Sequence, residues 1–378
     1  MILQEGAAAD RAATMINQRV IVPMKTPTSR PREHCLADLA SGYRPLAPGQ
    51  TYEVDQFRPE DAPGIARLYY GAYGEHFPID YVYDPEAIIA LNAGPDLYNV
   101  VARTPSGDVL GTTALFRTAP GQTIMESGSV IVDPTYSGRK LLLQMHQLVN
   151  VELPRRLGLN AIFGQMVCDN LVTQKLMVHL GAFPHAIEIA ALPDRPAERR
   201  FGVTGRISLL DGFLLLQDPP QDLYPPALYA EWIKSRYAEH HLTRHFHPDQ
   251  QPTSPATRSE VEDNRNAALT KMTVLEIGQD FATCLTQVTT THPDTLIWQL
   301  LLPLDRPGTG FAVAAARAQG FFLGGLLPLW SDHDMLLLQK IGIPFDPEQI
   351  HLLTEESKTL LGFVLDDQRA LSSLGEAG

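Results

Sequence analysis

The chain has 378 residues, 44% of them hydrophobic and 19% charged, with a formal net charge of -13. That length exceeds a single core of roughly 100–200 residues and implies two packed units, while the apolar content excludes disorder throughout. The acidic balance argues against a protein that tracks nucleic-acid phosphates, which needs a concentrated basic face, and suits a cationic or amine ligand better.

Residues 1–48 are rich in proline and polar side chains without a sustained period, and read as an N-terminal arm. The first twenty residues carry acidic groups and no continuous apolar run, so they do not read as a secretory signal. No later segment approaches the ~18 apolar residues of a membrane helix. Cys35, Cys168 and Cys284 are scattered, forming neither a zinc pattern nor a disulfide framework. Reduced thiols, a cytoplasmic location and no membrane partner follow as expectations.

From Tyr52 the pattern changes. YEVDQF alternates as a strand, and RPEDAPGIARLYYGAY places Ile65, Leu68 and Tyr69 at helical spacing. Asp84-Pro85-Glu86 marks a second helix start, combining a capping residue, a first-turn proline and an acidic side chain. Two β-rich runs flank the turn Pro105-Ser106-Gly107-Asp108, and QTIMESGSVIV supplies a third. A helix then runs to about Arg156, with Pro154 ending or kinking its last turn. A strand over Leu159–Val167, a helix over Asn170–Leu180 and strands over Phe183–Ala190 and RISLLDGFLLLQ complete a mixed α/β sheet. Residues 218–270 read as a linker with one helix docked, around Ala227–Glu239. Residues 271–378 return to β-α-β-α-β-β and end in a short helix or two plus a tail; their last β-α-β-β echoes Leu159–Leu216 as a partial duplication.

The stretch VDPTYSGRKLLLQMHQLV stops a strand at Asp133-Pro134 and turns through Gly138 into an amphipathic helix. Such a turn aims unpaired amides and the positive dipole end at one point, which suits phosphate or diphosphate, with Arg139 and Lys140 adding charge. From the loop alone, an ordinary strand-to-helix connection with a solvated basic pair fits equally well.

With its neighbours, the stretch resembles motif A of the GNAT acyltransferase superfamily. The run Val-x-Pro-x-Tyr/Phe-Arg-Gly-Arg-Gly-x-Gly, which binds the acyl-coenzyme A diphosphate, is matched by Val132, Pro134, Tyr136, Gly138 and Arg139. The resemblance spans Thr51 to Leu216: Phe57–Asp61 is similar to the opening of that fold, Val109–Thr112 to its third strand, and Asn170 with Leu176, Leu180 and Gly181 to motif B. It implies a twisted mixed sheet flanked by helices (residues 49–217), a gap between the fourth and fifth strands, and a degenerate GNAT-like half over residues 271–378.

The implied co-substrate is acetyl-CoA or another acyl-CoA, without a metal, held by Ile131, Val132, Ser137, Gly138, Arg139, Lys140, Asn170, Thr173 and Lys175. Ser137, Lys140 and Leu142 depart from the motif and thin its glycines, leaving less room for close backbone approach. Direct transfer to an amine needs a base, a donor to the thioester carbonyl and an acid for the thiolate. The resemblance implies a backbone N–H within Val130–Val132 as the donor, and Glu126 is the candidate base. Motif B often carries an acidic tyrosine seven residues after the asparagine; here that residue is Met177, which has no proton to give. Cys168, Tyr136, Thr173 and His179 are the remaining acid candidates. Tyr73, His76, Phe77 and Tyr81 fall where relatives shape the acceptor pocket.

His240, His241, His245 and His247 lack a carboxylate partner in sequence, so no metal site is expected. Asp305–Gly310 could pass for a second phosphate loop, yet the second half lacks a motif A and reads as a scaffold. The expected function is acyl transfer to a small-molecule amine or amino-acid-like acceptor. A non-catalytic acyl-CoA-binding or regulatory protein, or an enzyme fed by an acyl carrier protein, remains open; the oligomeric state is not legible.

Overall fold

The computed structural model describes residues 30–77, 79–136, 139–169, 171–194 and 205–376, with the side chains of Arg139 and of residues 372–376 left aside. Most of the N-terminal arm (residues 1–29) and Ser137, Gly138 and Asn170 therefore lie outside the described residues. The chain divides into two compact units: residues 1–118 with 125–162, and residues 119–124 with 163–378.

Unit 1 is built from β1 (Glu53–Gln56), β2 (Leu97–Arg103), β3 (Val109–Phe116) and β4 (Ile124–Val132), antiparallel neighbours in chain order. Three helices accompany them: α1 (Arg32–Gly42), α2 (Ala62–Tyr73) and α3 (Pro85–Asn92). Asp84 caps α3 by accepting the Glu86 N–H at 3.1 Å, as its sequence implied. The helix α1 was not legible, because its apolar face is slight; its docking is made by Arg32, which donates to the Phe77 carbonyl, pairs with Asp80 and covers the Tyr83 ring.

After β4, α4 (Arg139–Gln147) passes through a π-helical turn (Leu148–Glu152) into α5 (Leu153–Arg156). Pro154 sits in the first turn of α5, where its missing N–H is harmless, so the helix bends rather than stops. His146 and Asn150, one turn apart, form a buried chain with β4: Asn150 bonds His146 Nδ1 at 2.9 Å, and Ser127 Oγ donates to Asn150 Oδ1 at 2.5 Å.

Unit 2 orders its main strands β5-β7-β6-β13-β14-β12-β11-β10. These are β5 (Ala161–Val167), β6 (Phe183–Leu192), β7 (Ile207–Leu215), β10 (Arg258–Asn264), β11 (Leu269–Glu276), β12 (Ile297–Pro303), β13 (Phe322–Leu327) and β14 (Met335–Ile341). A β-α-β-β segment occurs twice: β5-α6-β6-β7 with α6 (Val172–His179), and β12-α9-β13-β14 with α9 (Thr309–Arg317). In each, the last strand inserts between the first two, and β6 meets β13 antiparallel at Ala186 and Gly325.

Residues 218–270 are more structured than a linker. β8 (Gln221–Leu223) and β9 (Arg244–Phe246) form a parallel pair, α7 (Ala230–Glu239) lies between them in sequence, and β10 edges the sheet. The three-residue strands carry too little pattern to see, and β10, Arg-Ser-Glu-Val-Glu-Asp-Asn, is charged because it is an exposed edge. The segment is pinned by Arg244, which bonds buried Asp334 at 2.5 Å and Asp218 at 2.6 Å. The C-terminus forms a single helix, α10 (Glu355–Glu376), rather than short pieces, because Asp367 accepts the Leu323 N–H and Arg317 while Phe363 stacks on Trp232. Among the described residues no helix is long and apolar enough to cross a membrane.

Two stability outcomes follow. Asp61 takes a bidentate grip from Arg103 at 2.7 and 2.6 Å, both side chains nearly inaccessible. Asp61→Asn removes the buried counter-charge of Arg103, which keeps Glu53 at 3.1 Å and the Gln56 carbonyl at 2.6 Å, so a cost of about 2 kcal/mol in urea unfolding is expected; a loss below about 1 kcal/mol would show the pair to be dispensable. Burial holds His146 neutral, its pKa down at about 4. The unfolded chain takes up that proton near pH 6.5 while the folded chain resists until about 4, so stability is lost as pH falls through this window. Relative to His146→Gln, the wild type should lose about 3 kcal/mol between about pH 7 and pH 4. Parallel pH profiles would contradict the assignment.

Candidate active site

The β4 sequence Ile-Met-Glu-Ser-Gly-Ser-Val-Ile-Val carries a β-bulge. Gly128 pairs with Ala114 and Ile131 with Thr112, so Ser129 and Val130 together oppose the single residue Thr113. Ser129 takes the left-handed conformation, φ +55°, although glycine stands beside it. Thr113 answers the irregularity by donating its hydroxyl to the Gly128 carbonyl at 3.0 Å.

The bulge resets the alternation of side chains along β4. Ser127 faces the α4–α5 helix, bonded to Asn150, and Val132 packs near Gly111 and Met145 on that side. Ser129 instead bonds Tyr69 of α2, and Ile131 packs in the α2 core. By the period of two on either side of the bulge, Glu126 shares the α2 face with Ser129 and Ile131. Burial raises the Tyr69 hydroxyl to about 12, so it stays protonated as a bonding partner for Ser129.

Glu126 is 2% exposed, and its Oε2 accepts the Thr118 hydroxyl at 2.6 Å. Of the aromatic residues expected at an acceptor pocket, Tyr73 lines a cavity, whereas Phe77 and Tyr81 pack into the core and His76 stands on the surface. Tyr69, Tyr73 and Phe77 form one aromatic cluster with centroids 4.9–6.3 Å apart.

The cavity, about 100 Å³, lies between α2 and the end of β4, lined by Arg67, Gly71, Tyr73, Val130 and Asp133 with Tyr43 from the segment after α1. Arg67 donates to the Val109 carbonyl at 2.6 Å and stands 4.0 Å from Asp133; burial lowers its pKa, an effect that Asp133 opposes. Arg67 and Tyr43 were missed in sequence. Arg67 reads as the polar face of an ordinary helix, and Tyr43 arrives from a segment without periodicity.

Past β4, Asp133 folds the chain back: its N–H bonds the Leu110 carbonyl, its carbonyl accepts the Tyr136 N–H and its carboxylate accepts the Thr135 N–H. The Tyr136 hydroxyl donates to the Ala47 carbonyl and accepts the Gln50 N–H. Tyr136 is therefore a clasp for residues 47–50, and its proton is committed there rather than free for a leaving thiolate. Lys140 is exposed in the first turn of α4, whose leading amides have no partners within the helix.

Cys168, Thr173 and Lys175 belong to unit 2. Burial pushes the Cys168 thiol well up, and it borders a cavity of about 350 Å³ with Asp169, Arg206, Ser208 and Asp346. Thr173 is 3% exposed with no partner for its hydroxyl among the described residues; Lys175 and His179 are exposed. Met177 is buried in the apolar core of unit 2. The histidines do find carboxylates, but separately: His240 with Glu356 at 2.9 Å, His247 with Asp222 at 2.8 Å. Among the described residues no three His, Cys, Asp or Glu side chains gather as metal ligands.

No family model matches the sequence, and no curated protein matches it. Solved structures do. The acetyltransferase of GNAT family from Streptococcus pneumoniae is 13% identical, with 44% of this chain and 100% of that chain covered, at a TM-score of 0.36. The ribosomal-protein-S18-alanine N-acetyltransferase from Escherichia coli is 16% identical, covering 46% of this chain and 100% of that one, at a TM-score of 0.35. A GNAT family N-acetyltransferase from Escherichia coli, solved in complex with CoA, is 19% identical, covering 44% and 84%, at a TM-score of 0.27. Over somewhat less than half its length, the chain is similar to GNAT-family N-acetyltransferases.

Proposed function

We propose that the chain is an acyl-CoA-dependent N-acyltransferase, with the acetyl group as the unit transferred and a small amine as acceptor. The observation that carries this reading is the bulge at Ser129–Val130. It shifts the register of the β3–β4 ladder and turns Glu126 and Ser129 to one face. In this reading the β4 backbone from Val130 to Val132 receives the thioester, an N–H there polarising its carbonyl as negative charge develops. The proposed diphosphate-binding residues are Ser137, Gly138, Arg139 and Lys140, whose sequence leads into α4, where a helix start and two cationic residue types suit an anion. Glu126, held at one oxygen by Thr118, accepts the proton of the attacking amine, while Tyr73 and Arg67 border the space beside β4. The thiolate leaves without a side-chain acid in unit 1, since Tyr136 is committed to the 47–50 segment; water can protonate it.

A second reading, an acyl-CoA-binding protein without turnover, is favoured by Met177, a core side chain at the position where a motif B tyrosine would donate a proton. Acetyl-CoA consumption across a panel of primary amines separates the two. The first reading predicts turnover with at least one amine and a drop of about 100-fold in kcat for Glu126→Gln, with coenzyme A affinity by calorimetry unchanged. Undiminished turnover in that variant would remove Glu126 as the base. Coenzyme A binding with no turnover on any amine would leave the second reading standing.

A further inference from the structure

In unit 2, β11 and β12 run parallel and pair from Leu269–Ile297 to Thr273–Leu301. Both strands then continue, β11 to Glu276 beside β10 and β12 to Pro303 beside β14. The two carboxyl ends thus part company, and each leads into a helix: β11 through Ile277–Asp280 into α8 (Phe281–Thr291), β12 through Leu304–Gly308 into α9. A crevice at the carboxyl ends of parallel strands, faced by helix N-termini, is where open α/β sheets ordinarily take ligands.

Here the chain's own segment 249–257 lies across it. The Gly308 N–H bonds the Gln250 carbonyl at 2.9 Å, and the Gly310 N–H reaches the Asp249 carboxylate at 3.3 Å. At the other helix start, the Gln279 N–H bonds the Ser254 carbonyl at 2.9 Å and the Gly278 N–H bonds Thr257 Oγ1 at 3.1 Å; Asp280 returns a bond by accepting the Thr257 N–H at 2.7 Å. Between them, the Leu275 carbonyl, past the last residue of β11 that pairs with β12, accepts Arg306 at 2.6 Å.

The glycines fit this segment rather than an external group. A Cβ on Gly278 would lie 2.2 Å from the Ala256 carbonyl carbon, and one on Gly310 1.8 Å from the Asp249 carboxylate. Gly308, at φ +103°, has Pro252 3.0 Å from its Cβ position. The loop Asp305–Gly310, which could pass in sequence for a phosphate loop, receives instead a strap with its own carboxylate.

We propose that residues 249–257 are a built-in strap that seals the carboxyl-end crevice of unit 2, with its carbonyls, the Thr257 hydroxyl and the Asp249 carboxylate standing where an anionic ligand's acceptor atoms would. The strap is one element: the contacts at Gly278–Gln279 and at Gly308–Gly310 form and break together, though the two loops are about thirty residues apart in sequence. The proposal holds whichever ligand unit 1 takes.

Amide hydrogen exchange on the full chain tests it. In the wild type, the amides of Gly278, Gln279, Gly308 and Gly310 should exchange at least about 100-fold more slowly than exposed loop amides, and inorganic pyrophosphate should leave those rates unchanged. Gly278→Val, which drives a side chain into the strap backbone, should speed exchange at Gly308 and Gly310 while β12 and the middle of α9 stay protected. Fast exchange at these four amides in the wild type overturns the proposal even if the variant does not fold. Slowing by pyrophosphate, or Gly308 and Gly310 unmoved in a folded variant, overturns it as well.

Discussion

The candidate site depends on one local constraint, the extra residue in β4. A regular strand would place Glu126, Gly128 and Val130 on one face and send Ser127, Ser129 and Ile131 to the other. The bulge at Ser129–Val130 breaks that sequence, so Glu126 before it and Ile131 after it both face α2. It holds a non-glycine residue at positive φ, an arrangement that costs of order 1–3 kcal/mol and persists only where the surroundings over-determine it. Those surroundings are visible: Thr113 Oγ1 on the Gly128 carbonyl, the Tyr69 hydroxyl on Ser129, and Ser127 fixed to Asn150 just before the bulge. The π-turn that sets Asn150 against β4 belongs to the same device, and burial of neutral His146 beneath it costs acid stability in exchange for fixing that helix.

From β1 onward, the order of elements in unit 1 was legible because its signals are local. The Asp84-Pro85-Glu86 start, the turn at Gly107 and the three β-rich runs each state their own conformation. The bulge was not legible. Ser-Gly-Ser invites a left-handed glycine, and it is Ser129 that takes the conformation, because register with β3 rather than intrinsic preference decides. Tyr136 shows a different limit: its place in the motif suggested chemistry, and only the segment at Ala47–Gln50 reveals that its hydroxyl is in use. Arg67 and Thr118 share that limit, since what they touch lies 42 and 8 residues away and no spacing announces it.

Unit 2 carries the same lesson at larger scale. The repeated β-α-β-β could be suspected from sequence, but the segment between its copies reads as linker, because a strap that pairs through carbonyls and one carboxylate has no periodicity of its own. The glycines at 308 and 310 could pass for part of a phosphate loop, and the same absence of side chains there and at Gly278 serves close approach by the chain itself.

The most direct test of the central claim is a coenzyme A titration of the full chain followed by amide hydrogen exchange across β4 and the start of α4. The account predicts that exchange slows at Val130–Val132 and in the first turn of α4, around Lys140, as the coenzyme binds. Saturable coenzyme A binding that leaves both stretches unchanged would contradict it.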